Sequence, residues 1–453
     1  MTLSEIFADF IWSLSFEKIP SSIVDKMKWC ALDSLANIIG SQQMMLGRRM
    51  IDFVSTMGGS PEVSIVGTSL RTSRVLAAFA NGSLFSTLGT GDGYNPGRNH
   101  PGGTVWPVAY SLLTKKPCTG RDFLAAAVAG YETICRVAGC LDPSLTLKGF
   151  NPTGTVGTIG AAVTAAKMLG LTKGEIVNTI GISGYLMPFM PFETIKSGYT
   201  VTPLNCGHAA QVGLHAAFLA EKGFTGDRYI LEGRNQDGIC YLLSDSVDLE
   251  KMRLELGARF HCAEVYLKSY PSVRPSHGPA EALIAIRKEN PDLKIEDVVK
   301  VTVWTYKSAL QFIRPTDVNF SSYACRMNVP FTLAVALADG ELGPRQFEEE
   351  KIKNSSTHEL AKKIEIREKA EYSKAYPALS PCDVEIHTVQ GKVYRRSLTA
   401  AKGDQTNPFS SAEVIAKFDS LTEAILKEDK RRRIKEFILK LENVPNMCEF
   451  WAI

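Results

Sequence analysis

The sequence predicts a mainly α protein, with a large all-helical domain built from both chain ends and a smaller α+β domain inserted between them. Three observations point to this. Residues 1–265 carry a succession of apolar runs at helical spacing, several opened by Ser or Thr and closed by Gly. Over residues 266–399 the texture changes to alternating β-branched residues mixed with shorter helical stretches. From 400 to 453 helical periodicity returns. A chain of 453 residues has room for two such domains.

The elements follow in order. Ser21-Ser22 reads as an N-cap for a helix that stops at Gly40. Apolar runs at 73–88 and 104–113 read as helices. Thr119 precedes a helix through Phe123–Ala129, whose small side chains allow close approach and predict a central position. Thr153 reads as opening the run Ile159–Leu169, closed by Gly170, and Thr172 opens the next. His208–Leu219 is a fourth such run, ending near Gly223. In the insertion, 298–304 alternates as a strand, and 383–389 with 392–398 flank Gln390-Gly391 as a hairpin. Helices are expected at 278–288 and 326–338, and again from 408 to about 442.

Composition narrows the function classes. The chain is 45% hydrophobic and 22% charged, ordinary for a soluble globular protein. Its 51 Lys+Arg against 48 Asp+Glu leave a net charge of +3, which offers no electrostatic case for nucleic acid. The basic run Lys430-Arg431-Arg432-Arg433 sits in an amphipathic pattern and reads as a solvated helix face. Ten scattered cysteines contain no C-x-x-C pair, so buried free thiols in a reducing compartment are expected. The N-terminus has no basic n-region, and no run of 18 uncharged apolar residues occurs. The expectation is a cytoplasmic protein with neither a nucleic-acid nor a membrane partner.

The densest chemistry lies between the helices at 73–88 and 104–113. The loop Gly89–Gly103 sets Asp92, Asn95, Arg98, Asn99 and His100 among six glycines and two prolines. No helix or strand interior tolerates that composition, and loops anchored on rigid elements are where chemistry is usually placed. Imidazole suits proton transfer, a nearby carboxylate tunes it, and Arg98 has the fork geometry for a carboxylate. Other motifs are weak. Gly89-x-Gly91-x-Gly93 lacks the preceding strand and later acid of a dinucleotide site, and no P-loop, H-E-x-x-H or G-x-S-x-G is present. The run Met187–Phe192 reads as core packing, with a dimer surface as the alternative.

Several landmarks in fixed order resemble the MmgE/PrpD family. They are Ala31-Leu32-Asp33-Ser34, then Asp92 with His100-Pro101-Gly102, then Lys148-Gly149-Phe150-Asn151-Pro152-Thr153-Gly154. Gly207-His208-Ala209-Ala210, Lys268-Ser269-Tyr270-Pro271 and Val329-Pro330-Phe331-Thr332 follow. The resemblance spans nearly the whole chain. It implies a helical domain, a smaller lid domain, a homodimer, and an active site in the cleft between domains. It also implies action on small polycarboxylates by dehydration, decarboxylation or epimerisation, with no organic cofactor and no metal.

On the matching positions, Asp92 and His100 are the expected loop acid and loop histidine, Lys268 the lysine of the lid, and His277 a second histidine; these are the candidate catalytic residues. Tyr94, Asn95, Arg98, Asn151, Thr202, Asn205, His208 and Arg274 are the candidate substrate-binding residues. The chain departs from the family's decarboxylating and dehydrating members at several of these. Asn151 stands for a histidine, Thr202 and Asn205 for a lysine and a histidine, Val273 for the lid histidine, Phe331 for a tyrosine and Tyr94 for a threonine. Asparagine keeps a donor and an acceptor but carries no proton at neutral pH. The expected activity is therefore that of a lyase or isomerase that moves a proton at a carbon next to a carboxylate, with Asp92 and His100 taking more of the acid–base work. The alternative is a catalytically silent homologue that binds a metabolite or partner.

Overall fold

Helix starts show the local chemistry most directly. In the computed structural model, which describes residues 1–453 apart from 316, 318 and 319, the long helices of the first part of the chain are α1 (Leu3–Ser13), α2 (Ser21–Gly40), α3 (Met45–Met57), α4 (Arg74–Leu88), α5 (Gly102–Leu112), α6 (Gly120–Leu141), α7 (Gly157–Leu169), α8 (Lys173–Tyr185) and α9 (Leu204–Glu221). Three of them begin in reciprocal capping boxes: Thr2 with Glu5, Thr119 with Asp122, and Thr172 with Glu175. Each box satisfies otherwise orphaned backbone donors of the first turn.

Two expected caps are not used. The N-cap of α2 is Pro20, without a side-chain bond, so Ser21 and Ser22 already lie in the helix. α7 starts at Gly157 after Val156, and the Thr153 hydroxyl instead accepts from the backbone of His100. α9 starts about a turn before His208, because Pro203 suits a helix entry.

The chain packs as two compact units, one of residues 1–192, 203–265 and 410–453, the other of 193–202 and 266–409. In the first unit α6 is the core helix. It is long and apolar enough to cross a membrane, yet 94% of its apolar window is buried inside the protein. Its internal charges neutralise each other, with Arg136 Nε 2.6 Å from Glu132 Oε1. The remaining guanidinium donors meet the carbonyls of Met252, Leu254, Glu255 and Arg259, which is what a buried pair requires. α4 and α9 touch backbone to backbone, since a Cβ on Gly82 would lie 2.7 Å from the Cα of Gly207. Of the Met187–Phe192 run, Met187 and Phe192 are buried while Phe189 is exposed, so only part of it packs as core.

The C-terminal helices Ser411–Thr422 and Glu428–Leu439 complete this unit. The basic run is a solvated face, as expected, with Arg431 on Asp419 and both Arg432 and Arg433 on Asp429. None of the ten cysteines is in a disulfide, and only Cys118 and Cys448 are partly exposed.

The second unit holds a four-stranded mixed sheet of β1 (Val298–Thr305), β2 (Ile364–Glu368), β3 (Cys382–Thr388) and β4 (Val393–Leu398), in the order β2-β1-β3-β4. β1 runs parallel to β2 and antiparallel to β3, and β3 and β4 form the expected hairpin. β2 went unread in the sequence because Ile364-Glu365-Ile366-Arg367-Glu368 is short, charged and at a sheet edge. Helices α10 (His277–Glu289) and α11 (Val329–Asp339) pack on β3–β4 and on β2 respectively. Residues 193–202 join this unit through Arg314 Nε donating to Lys196 O at 3.2 Å and Ser321 Oγ donating to Gly198 O at 3.1 Å.

Candidate active site

α4 ends at Gly89, whose φ of +77° is left-handed backbone that glycine adopts without strain. The loop that follows is tied down at its start. Thr90 donates its hydroxyl to Asn37 Oδ1 at 2.6 Å, and Lys417 Nζ donates to Thr90 O at 2.6 Å and to Asp33 Oδ1 at 2.5 Å. A short β-bridge between Tyr94 and Asn99 closes the loop, and α5 begins at Gly102.

Asp92 and His100 do come together, but not as the sequence suggests. The Asp92 carboxylate is 1% exposed. Its Oδ1 accepts from Gly102 N at 3.0 Å and its Oδ2 from the Tyr131 hydroxyl at 2.5 Å. Burial pushes this carboxyl up to about 7, against the pull of the Tyr131 bond and with the help of the Asp33 charge. His100 Nδ1 meets the main-chain carbonyl of Asp92 at 2.5 Å. A carbonyl only accepts, so Nδ1 carries the hydrogen and Nε2 is the basic atom of the neutral ring. His100 is half-buried, and its amide donates to Thr153 Oγ1 at 3.0 Å. Thr153 N in turn donates to Asn151 Oδ1 at 3.0 Å.

The other loop residues are placed differently from expectation. Arg98 does not stand ready for a ligand carboxylate: its Nε lies 2.9 Å from Asp142 Oδ2, and its Nη1 donates to Thr146 Oγ1 at 3.0 Å. These contacts hold it at φ 46°, a strained value for a residue with a Cβ. Tyr94 is buried, and its hydroxyl lies 3.2 Å from His261 Nδ1. Burial and the nearby cations Arg136, Arg259 and Lys251 lower His261 to about 4, so the neutral ring accepts from Tyr94. Asn95 is half-buried and turns the loop, its carbonyl accepting from Arg98 N at 3.2 Å.

Asn151 works as a capping amide: its side-chain oxygen serves Thr153 N, and its own backbone N–H donates to Met190 O at 2.9 Å. Asn205 lies in the first turn of α9 and is 7% exposed, and its Oδ1 is buried with no donor among the described residues. The neighbouring Cys206 Sγ packs on Gly103, where an added Cβ would lie 2.5 Å away, so the starts of α5 and α9 adjoin. His208, one turn on, is partly exposed; His215 is lowered by burial and by the charge of His208.

In the second unit, Thr202 is buried with its hydroxyl 3.4 Å from Thr194 O, and Lys268 is 6% exposed. Arg274 is engaged by the fold, 2.6 Å from Asp404 and 4.3 Å above the Tyr266 ring. His277 is fully buried, accepting at Nδ1 from Arg274 Nη1 at 3.1 Å and donating at Nε2 to Ser272 O at 3.3 Å. Both ring nitrogens are thus committed, and the positions expected to contact substrate or carry a proton at 274 and 277 serve to hold the 266–277 turn together. Val273 and Phe331 are buried, Phe331 against His358 at 5.0 Å between ring centroids.

Sequence reasoning missed Tyr131, Trp106 and Thr153. The available signal was that Tyr and Trp inside an apolar run need partners for their polar ends.

Two family matches cover most of the chain: the MmgE/PrpD N-terminal domain over residues 5–251 and the MmgE/PrpD C-terminal domain over 270–443. Curated relatives include the cis-aconitate decarboxylases of Mus musculus, at 25% identity over 98% of this chain and 92% of that protein, and of Homo sapiens, at 25% over 98% and 93%. That of Aspergillus terreus is 22% identical over 96% and 92%. The chain belongs to the MmgE/PrpD family.

Proposed function

We propose that the protein acts on a small carboxylate-bearing substrate as a lyase or isomerase, removing or delivering a proton at a carbon next to a carboxylate. The observation that carries this is the fixed tautomer of His100. Its Nδ1–H is held by the Asp92 carbonyl at 2.5 Å, which makes Nε2 the atom that takes and returns the proton. Asp92 acts from behind the ring, and Asn205 and His208 at the start of α9 offer polar groups to the substrate. Decarboxylation of cis-aconitate, the reaction in the relatives' names, is not the one proposed. On the family resemblance, Asn151, Thr202 and Asn205 take the place of titratable groups in those members, and Asn151 Oδ1 caps its own turn.

The test is incubation with a panel of hydroxy-, unsaturated and amino-carboxylates, cis-aconitate included, in deuterated water, followed by proton NMR. Deuterium is expected at the α-carbon of at least one acid, and His100→Gln should slow its entry roughly 100-fold or more. Exchange alone identifies an isomerase, whereas loss of water or of carbon dioxide identifies the corresponding lyase. No exchange and no turnover with any acid overturns the proposal. A metabolite-binding, catalytically silent homologue would then stand, a reading favoured by the engagement of Arg98 and Asn151 in the fold.

A further inference from the structure

Behind the loop, two fully buried aromatic residues end in polar groups that point one way. Trp106 on α5 donates its Nε1–H to the Tyr131 hydroxyl at 2.7 Å, and Tyr131 on α6 donates to Asp92 Oδ2 at 2.5 Å. With Asp92 ionised, every polarity along this line is set by chemistry. An indole N–H only donates, so the Tyr131 oxygen accepts from it and commits its single hydrogen to Asp92. The Gly102 amide likewise only donates, which fixes the second carboxylate oxygen as an acceptor at 3.0 Å. Both oxygens of the side chain are thus held, and the main-chain carbonyl of the same residue accepts from His100 Nδ1.

The glycine at the start of α5 belongs to the same arrangement. A Cβ at 102 would lie 2.6 Å from the Tyr131 hydroxyl and 2.7 Å from Asp92 Oδ2, so no larger residue fits there without breaking the line. The other titratable groups that interact with Asp92 among the described residues are Asp33, paired with Lys417, Lys26 and Cys30 on α2, the Cys30 thiol also lying against Tyr131, and Cys135 on α6.

We infer that Tyr131, oriented by Trp106, is a positioning residue for His100, acting through Asp92 to fix the tautomer and aim of the imidazole. This rests on the proposal that His100 moves the proton. Neither aromatic side chain touches substrate in this arrangement, since both are enclosed between α5 and α6.

The test compares full-length wild type with Tyr131→Phe, which removes one hydroxyl and keeps the ring. Nitrogen-15 NMR of the histidines reads the His100 tautomer, and α-proton exchange is followed against pH. Tyr131→Phe should populate both His100 tautomers, shift the pH profile of exchange, and lower kcat roughly 10- to 100-fold with KM nearly unchanged, as misaimed catalytic groups do. An unaltered tautomer together with an unaltered pH profile overturns the inference. Should Tyr131→Phe fail to fold, Trp106→Phe removes only the upstream donor, and its His100 tautomer decides the matter in the same way. The two proposals fail separately. If the wild type exchanges no acid, the functional proposal falls while the NMR readout still tests the positioning line. If His100→Gln abolishes exchange but Tyr131→Phe changes nothing, only the positioning role falls.

Discussion

Replacing Arg98 by alanine takes the guanidinium away from a carboxylate that water hardly reaches. The Asp142 side chain is 2% exposed, that of Arg98 19%, and the N–O distance is 2.9 Å. Burial already pushes the Asp142 carboxyl up, and Arg98 opposes that push. Removing one member of a buried pair costs about 3–5 kcal/mol. Arg98→Ala belongs at the lower end, about 3 kcal/mol, because Arg98 is one-fifth open and Thr146 N still donates to Asp142 at 3.3 Å.

The backbone supplies an internal control. Arg98 sits at φ 46°, so Arg98→Gly should recover roughly 1 kcal/mol relative to Arg98→Ala. Arg98→Ala with Asp142→Asn leaves no stranded charge and should cost only about 1 kcal/mol. Urea denaturation at neutral pH with unchanged m-values should therefore rank wild type above the double variant, then Arg98→Gly, then Arg98→Ala. If Arg98→Ala unfolds with the wild type, within about 0.5 kcal/mol, and instead raises KM for a carboxylate substrate, the reasoning is refuted and the guanidinium binds ligand.

Asp92→Asn tests the buried carboxyl. Its folded pKa, about 7, is raised from 3.8, so its contribution to stability is full below about pH 4 and is lost as pH rises through 7. Asn has no such dependence, so the thermal midpoint of the variant should gain on wild type between pH 4 and 7; a constant difference across that range would count against the burial. Gly207→Ala places a Cβ 2.2 Å from Ser83 Oγ and 2.3 Å from the Phe79 carbonyl, and a helix carbonyl cannot turn aside. A loss of about 1–3 kcal/mol by chemical denaturation is expected, and wild-type stability would show that α4 and α9 do not cross so closely.

Local order was legible from the chain alone. Thr119 and Thr172 announce their helices because a capping box needs only residues three apart, and the hairpin at 383–398 follows from alternation around Gln390-Gly391. The glycine frame of 89–103 marked a candidate functional loop, and the ordered motifs marked the MmgE/PrpD family, to which both domain matches assign the chain. What the tertiary structure decided is which atom meets which. Arg98 belongs to Asp142, Tyr94 to His261, and Thr153 to His100 rather than to a helix start. The Asp92 carboxylate faces Tyr131, and only its carbonyl faces His100. Residue types and spacings specify periodicity, caps and turns because those interactions close within a few residues. The partner of a buried polar atom lies tens of residues away, and burial makes each such atom take whichever partner the packed helices bring within hydrogen-bond distance.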